Sequence, residues 1–137
     1  MISLVLLDNE AVQALGAVAH PKHRRVLSYV QVVTQRKRRA VQVNVATPTT
    51  VRVEAGWDRT AASWSFPNSL RIDDAVLDAS QANSAASIRA GTGVSVADGH
   101  LGAVIRSTPV LQITVVTSDP SDARIVAGDR RITIVTI

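Results

Sequence analysis

The residues of this sequence best suited to chemistry are its acids, and five of them stand where a fold could gather them. Asp8 directly follows the apolar run Ile2–Leu7. Asp119 comes three residues after the β-branched run Leu111–Val116, with Asp122 three residues further on. Glu54 sits two turns into the helix expected after Val41–Val45, and Asp98 falls in the first turn of a helix capped by Ser95. In open parallel sheets, ligand sites form just beyond the carboxyl ends of the strands. Acids drawn there from distant parts of the chain can surround a hard divalent cation, which prefers oxygen ligands. Each acid also has a plainer reading. Ser95-x-x-Asp98 and Asp119-x-x-Asp122 both fit capping boxes, Asp8 can cap the first helix, and Glu54 can be a surface acid beside Arg52 and Arg59. Spacing alone therefore reaches no further than a possible acidic metal site.

The elements that must position these acids alternate between strand and helix. Helices are expected over 9–19 and, opened by Pro21, to about Arg39. Val41–Val45 is a strand, and Thr47-Pro48 starts a helix to about Thr60. The residues 65–68 form a loop and 70–72 a short strand; Asp73 or Asp74 caps an Ala-rich helix that ends at Gly91 or Gly93. A helix over 95–107, the strand 111–116, a short helix stopped by Gly128 and a closing strand over 131–137 complete the order. Strands separated by helices imply a mainly parallel sheet in a three-layer α/β/α sandwich. The 137 residues suit a single domain, with no repeat and no linker. Aromatic residues make up only 3%, so the core must be built from Val, Ile, Leu and Ala.

Absence of cysteine excludes disulfides and thiolate metal sites and fits a reducing, cytoplasmic setting. The opening apolar run is too short for a membrane span and lacks the basic flank of a signal peptide. The net charge of +4 is concentrated: Lys22, Arg24, Arg25, Arg36, Lys37, Arg38 and Arg39 hold seven of the 15 basic residues, and the rest of the chain has 8 bases against 11 acids. Such a patch suggests a polyanionic partner, though it also fits a solvated helix face. Arg36, Lys37, Arg38 and Arg39 are the candidates for contact with backbone phosphates.

Other signals are weaker. Gly91-Thr92-Gly93 lacks the third glycine of a dinucleotide loop, and Gly93-Val94-Ser95-Val96-Ala97 lacks the last glycine of a nucleophile elbow. His20, His23 and His100 read as surface histidines, with His100 close enough to Asp98 to reach a substrate. Trp57 reads as a core or interface aromatic in preference to a base-stacking one. Trp64 and Phe66 suggest a partner surface.

Taken together, Leu6-Leu7-Asp8, Val51-Arg52-Val53-Glu54, Val96-Ala97-Asp98-Gly99-His100-Leu101 and Thr117-Ser118-Asp119-Pro120-Ser121-Asp122 fall in the order of PIN domains. Over essentially its whole length the chain resembles the VapC-type toxin ribonucleases of that family. The resemblance implies a parallel-sheet sandwich and an Mg²⁺- or Mn²⁺-dependent hydrolysis of RNA phosphodiester bonds. It further implies silencing by a cognate antitoxin protein and assembly as a homodimer. By position it matches Asp8, Glu54, Asp98 and Asp119 to the family's four metal-binding catalytic acids, Asp122 to an additional metal-binding acid, and Thr117 to a substrate-side hydroxyl. One departure is Glu10, where relatives often carry Ser, Thr or Asn; it adds a carboxylate beside the site. A nucleic-acid-binding or PIN-like interaction module without catalysis is the alternative.

Overall fold

The computed structural model describes residues 2–35, 42–109 and 112–137. Five strands form one sheet in the order β3-β2-β1-β4-β5, every pair parallel: β1 (Ile2–Leu7), β2 (Gln42–Pro48), β3 (Ile72–Ala75), β4 (Gln112–Thr117) and β5 (Thr133–Thr136). Among the described residues seven α-helices connect them: α1 (Asn9–Gly16), α2 (His23–Gln35), α3 (Thr49–Ala55), α4 (Ser65–Ser69), α5 (Ala79–Thr92), α6 (Val96–Ser107) and α7 (Pro120–Ala127). The architecture is the three-layer α/β/α sandwich expected from the alternation of patterns. The chain steps from β1 outward to β2 and β3, then returns to place β4 on the other side of β1. The carboxyl ends of β1 and β4 therefore flank the point where the strand order reverses, the crevice that sheets of this kind offer to ligands.

Strand side chains alternate between two cores, as a period of two requires. Val5, Leu7, Val45 and Val116 face a layer containing Val12 and Leu15 of α1, Val26 and Val30 of α2, Val51 of α3, and Trp57. Leu6, Ile113 and Val115 face the opposite layer, with Ile88 of α5, Leu101 and Ile105 of α6, and Val126 of α7. The central strands are covered on both sides, which is why they read as continuous apolar runs. Helix α6 sits deep because two of its glycines admit neighbours: a Cβ on Gly102 would lie 2.8 Å from both the Val126 Cβ and the Val126 carbonyl, and one on Gly99 would lie 3.0 Å from the Ala85 carbonyl.

Several boundaries differ from the expectation, each for a local reason. Thr47 and Pro48 end β2 and do not open the helix; Pro48 is the residue before the first helical one. Helix α3 stops at Ala55, not Thr60, because Gly56 adopts φ 77° and donates its N–H to the last turn. Residues 65–69 are helical, and a 3-10 turn over Ala62–Trp64 leads into them. Asp73 and Asp74 lie in the edge strand β3; the cap of the Ala-rich helix is Asp78, whose carboxylate accepts from the Gln81 N–H at 2.8 Å. Pro21 and Lys22 form a turn, so α2 opens at His23. Among the described residues no helix is long and apolar enough to cross a membrane.

Candidate functional site

The strand β1 ends at Leu7, and Asp8 turns the chain into α1 as its N-cap, accepting from the Ala11 N–H at 2.9 Å. Two further donors reach the same carboxylate from beyond the end of β4: the Thr117 hydroxyl and the Ser118 N–H. Each of these bonds favours the ionised acid. Burial works against them and prevails, so the Asp8 carboxyl is held above the ordinary aspartate value, with a small push from Glu10.

Thr117 is buried, and its hydroxyl also accepts from the Asp119 N–H at 2.9 Å. One side chain thus contacts both the Asp119 backbone and the Asp8 carboxylate at the β1–β4 crevice. Asp119 caps α7 and accepts from the Asp122 N–H at 3.1 Å. Asp122 is pushed up by burial, by repulsion from Asp119 and by a hydrogen bond to it.

Asp98 enters from the α6 layer. Its N–H donates to Ser95 Oγ at 3.1 Å, the bond that the Ser95-x-x-Asp98 spacing anticipates. Its carboxyl stands above the ordinary value, first through burial, then through repulsion by Asp122, Glu54 and Asp8. Acids from four separate segments therefore share one electrostatic environment. Glu54 lies on an exposed turn of α3 and accepts from Asn9 Nδ2 at 3.0 Å. Glu10, the residue that departs from the family pattern, bonds with His20 at 3.0 Å and lies 3.8 Å from the Lys22 ammonium.

The five acids are unpaired with bases. Among the described residues the salt bridges belong to Glu10 and Asp74 alone. Nor do any three His, Asp or Glu side chains of the described residues converge closely enough to form a ready-made metal cage. The reason is visible in the bonds above: Asp8 and Asp119 fold back onto helix N–H groups and Glu54 is held by Asn9. The carboxylates are near enough to repel one another and not near enough to close a coordination sphere in these rotamers.

Three contacts that sequence reasoning did not anticipate hold this arrangement. Asn9 steers Glu54 from the first residue of α1. Thr50 Oγ1 and His100 Nδ1 lie 2.8 Å apart and tie α3, which carries Glu54, to α6, which carries Asp98. The third is around α3: Arg52 donates to Asp74 at 3.0 Å and to the Trp57 carbonyl, Arg59 donates to Asp74 at 2.9 Å and lies over the Trp57 ring, and Trp57 stacks on Trp64. Only the i, i+4 spacing of Thr50 and Glu54 and the i, i+2 spacing of Asp98 and His100 hinted at the second.

Two of the three histidines, His23 and His100, depart from their expected surface positions, while His20 stays partly exposed. His100 is fully buried, and desolvation holds its pKa below the ordinary value against the pull of the Val76 carbonyl and Asp78. Its Nε2 has no partner within hydrogen-bond geometry, and it has no exposed face to offer a substrate. His23 is buried as well, with Nδ1 2.8 Å from the Ala14 carbonyl. Trp57, 2% exposed and bonded through Nε1 to Asn68 Oδ1, is a core residue as expected. Trp64 lies half-buried against Gly16, where any Cβ would run into its ring; Phe66 stays exposed. Arg36, Lys37, Arg38 and Arg39 lie outside the described residues. Compared with known proteins, the chain matches no family model and no curated protein.

Proposed function

We propose that this protein is a divalent-cation-dependent endoribonuclease of PIN-domain type, the toxin of a pair whose antitoxin partner covers the site. The observation that supports the reading is a chain of mutual repulsion beside the reversal of strand order: Asp98 is repelled by Asp122, Glu54 and Asp8, and Asp122 by Asp119, with no salt bridge to any of them among the described residues. Unpaired carboxylates repel one another, and the all-oxygen donor set suits Mg²⁺ or Mn²⁺. Asp8, Glu54, Asp98, Asp119 and Asp122 would hold the cation once Asp8, Glu54 and Asp119 turn from the hydrogen bonds that occupy them. When bound, such a cation lowers the pKa of a coordinated water and offsets charge on a phosphate.

The chain's own residues do the rest. Thr117 holds the backbone of Asp119 at the end of β4 and lies against the Asp8 carboxylate, favouring its ionised form. Ser95 aims Asp98 across the crevice, and Asn9 aims Glu54. The Thr50–His100 contact fixes the spacing between the helices that carry them. Resemblance to the PIN pattern supplies RNA as the substrate, the antitoxin and the homodimer; the cationic stretch Arg36–Arg39 supplies a surface for backbone phosphates.

A second reading, a nucleic-acid-binding module without catalysis, draws on one observation: each of the five acids already serves as a cap or hydrogen-bond partner to its own backbone or neighbours. A cleavage assay on mixed RNAs with Mn²⁺ separates the two. Native protein should cut and Asp8→Asn should not; equal behaviour of both forms rules out the nuclease.

A further inference from the structure

The structure has a second charged feature, at the opposite end of the sheet. Where β4 and β5 begin, a groove of about 550 Å³ is lined by Gln112, Ile113, Arg124, Arg130, Arg131 and Thr133, among others. A smaller hollow of about 350 Å³ adjoins it, bounded by Arg106, Ala127, Asp129 and Arg130. Four arginines thus meet a single acid, Asp129. The arginines come from the end of α6, from α7 and from the turn into β5, and the fold alone brings them together. Arg106 is anchored by its Nε, which donates to the Val126 carbonyl at 2.9 Å. Arg124 and Arg131 are exposed, and neither enters a salt bridge among the described residues.

We propose that this groove binds the phosphodiester backbone of an RNA strand, as a second contact about one strand length from the acids. Its chemistry favours phosphate. Guanidinium groups present rigid forks that match phosphate oxygens, and every cation here is an arginine. The walls hold no aromatic anchor of the kind that dominates protein–protein contacts. Without an aromatic for stacking, the groove binds chiefly through the phosphate backbone. β4 is six residues long, so at about 3.3 Å per residue the groove and the Asp119 end lie roughly 20 Å apart. A strand reaching both must be long; a short oligonucleotide held at the acids cannot touch the arginines. The proposal rests on the nucleic-acid substrate given above, but its test does not need cleavage.

The test is the double variant Arg124→Gln/Arg131→Gln, with Arg124→Lys/Arg131→Lys as the charge-keeping control. Both positions are exposed, so circular dichroism should match the native protein. Binding is read in EDTA by fluorescence anisotropy, on an RNA of roughly 20 nucleotides and on one of about four. The Gln pair should weaken the long RNA by about tenfold. It should also lower the slope of log affinity against log salt by about 1.4, since each lost phosphate contact on a single strand removes roughly 0.7. The Lys pair should retain most of that slope, and the short RNA, with few phosphates to offer, should bind every form more weakly than the long one and lose less in the Gln pair. Unchanged long-RNA binding and slope in the Gln pair overturns the proposal. Displacement of the long RNA from the groove by polyglutamate at equal charge concentration also overturns it, in favour of an acidic protein segment. Because EDTA removes catalysis, a failed cleavage assay and a failed groove are separate results.

Discussion

The two ends of the sheet are opposite in charge and alike in one respect. Among the described residues, acids gather at the carboxyl ends of β1 and β4 without a salt bridge to any base, and four arginines meet one acid at the amino ends of β4 and β5. Where charges serve stability in this protein they are paired, as in the Arg52–Asp74–Arg59 bridge beside Trp57. Like charges brought together within each set oppose folding by their repulsion. The proposed cation would offset the charge at one end, and the proposed RNA backbone the charge at the other.

The largest effect that could break this comparison is on cleavage. Asp8→Asn keeps an oxygen to accept the Ala11 N–H and removes the charge. It should lower cleavage in Mn²⁺ by at least about a hundredfold, roughly 3 kcal/mol at 1.4 kcal/mol per factor of ten. The readout is single-turnover cleavage of RNA, and a variant within a factor of two of native would remove the acids from catalysis.

The next effect is on stability and follows from the sign of the shifts. Asp8, Asp98 and Asp122 have carboxyls raised in the fold. Stability tied to a raised carboxyl is fully present below the unfolded value of 3.8 and is lost as pH rises through the folded value. At neutral pH the ionised Asp98 therefore opposes folding. Asp98→Asn should stabilise the protein at pH 7 by about 0.5–2 kcal/mol, as substitutions that relieve strain at functional sites commonly do. The gain should vanish at pH 3. Mn²⁺ should raise the melting temperature of native protein and do so less for Asp98→Asn. A variant less stable than native at pH 7 would mean that the acids do not repel one another as the structure indicates.

His100 slopes the other way. Its pKa is lowered in the fold, so between 6.5 and the lower folded value the unfolded chain takes up a proton that the native protein refuses. Native stability should then fall as pH drops below 6.5, at most by about 1.4 kcal/mol per pH unit for this one group. His100→Asn should flatten that part of the curve measured by urea denaturation between pH 7 and 5. Should the slope persist, the burial of His100 is not its source.

The extent to which all this was legible in the sequence follows burial. β1 and β4 are covered on both faces, so their apolar runs stood out, and the acids placed after them were placed correctly. β3 is an edge strand whose Asp73 and Asp74 are exposed, so nothing in its pattern separated it from a helix cap. Helix α4 holds Pro67 within five residues, a composition that reads as a loop. The end of α3 was missed because Gly56 at φ 77° is a stop that the acids and bases around it obscured. Pairs far apart in sequence were illegible in principle: Thr50 and His100 are 50 residues apart, and nothing local to either marks the other. The arginine groove was hidden in the same way. Its four members sat in the part of the chain that looked mildly acidic on average, and only the return of β5 beside β4 collects them.

The smallest expected effect is also the sharpest contrast within one residue type. Asp74 accepts from Arg52 at 3.0 Å and from Arg59 at 2.9 Å, while Asp98 faces only other acids and its own cap. Both are aspartates near the carboxyl end of the sheet, and both become uncharged amides of the same size on substitution by Asn. Surface ion pairs contribute about 0.2–1 kcal/mol, and a pair of arginines sharing one carboxylate belongs at the upper part of that range. Asp74→Asn should therefore destabilise the protein by up to about 1 kcal/mol, opposite in sign to Asp98→Asn, and raising the salt concentration should shrink its effect. Two substitutions of one kind that move the urea midpoint in opposite directions would establish that the charges at the crevice are held ready for a ligand. If both lowered it alike, the acids would be ordinary caps and the two ends of the sheet would differ only in sign.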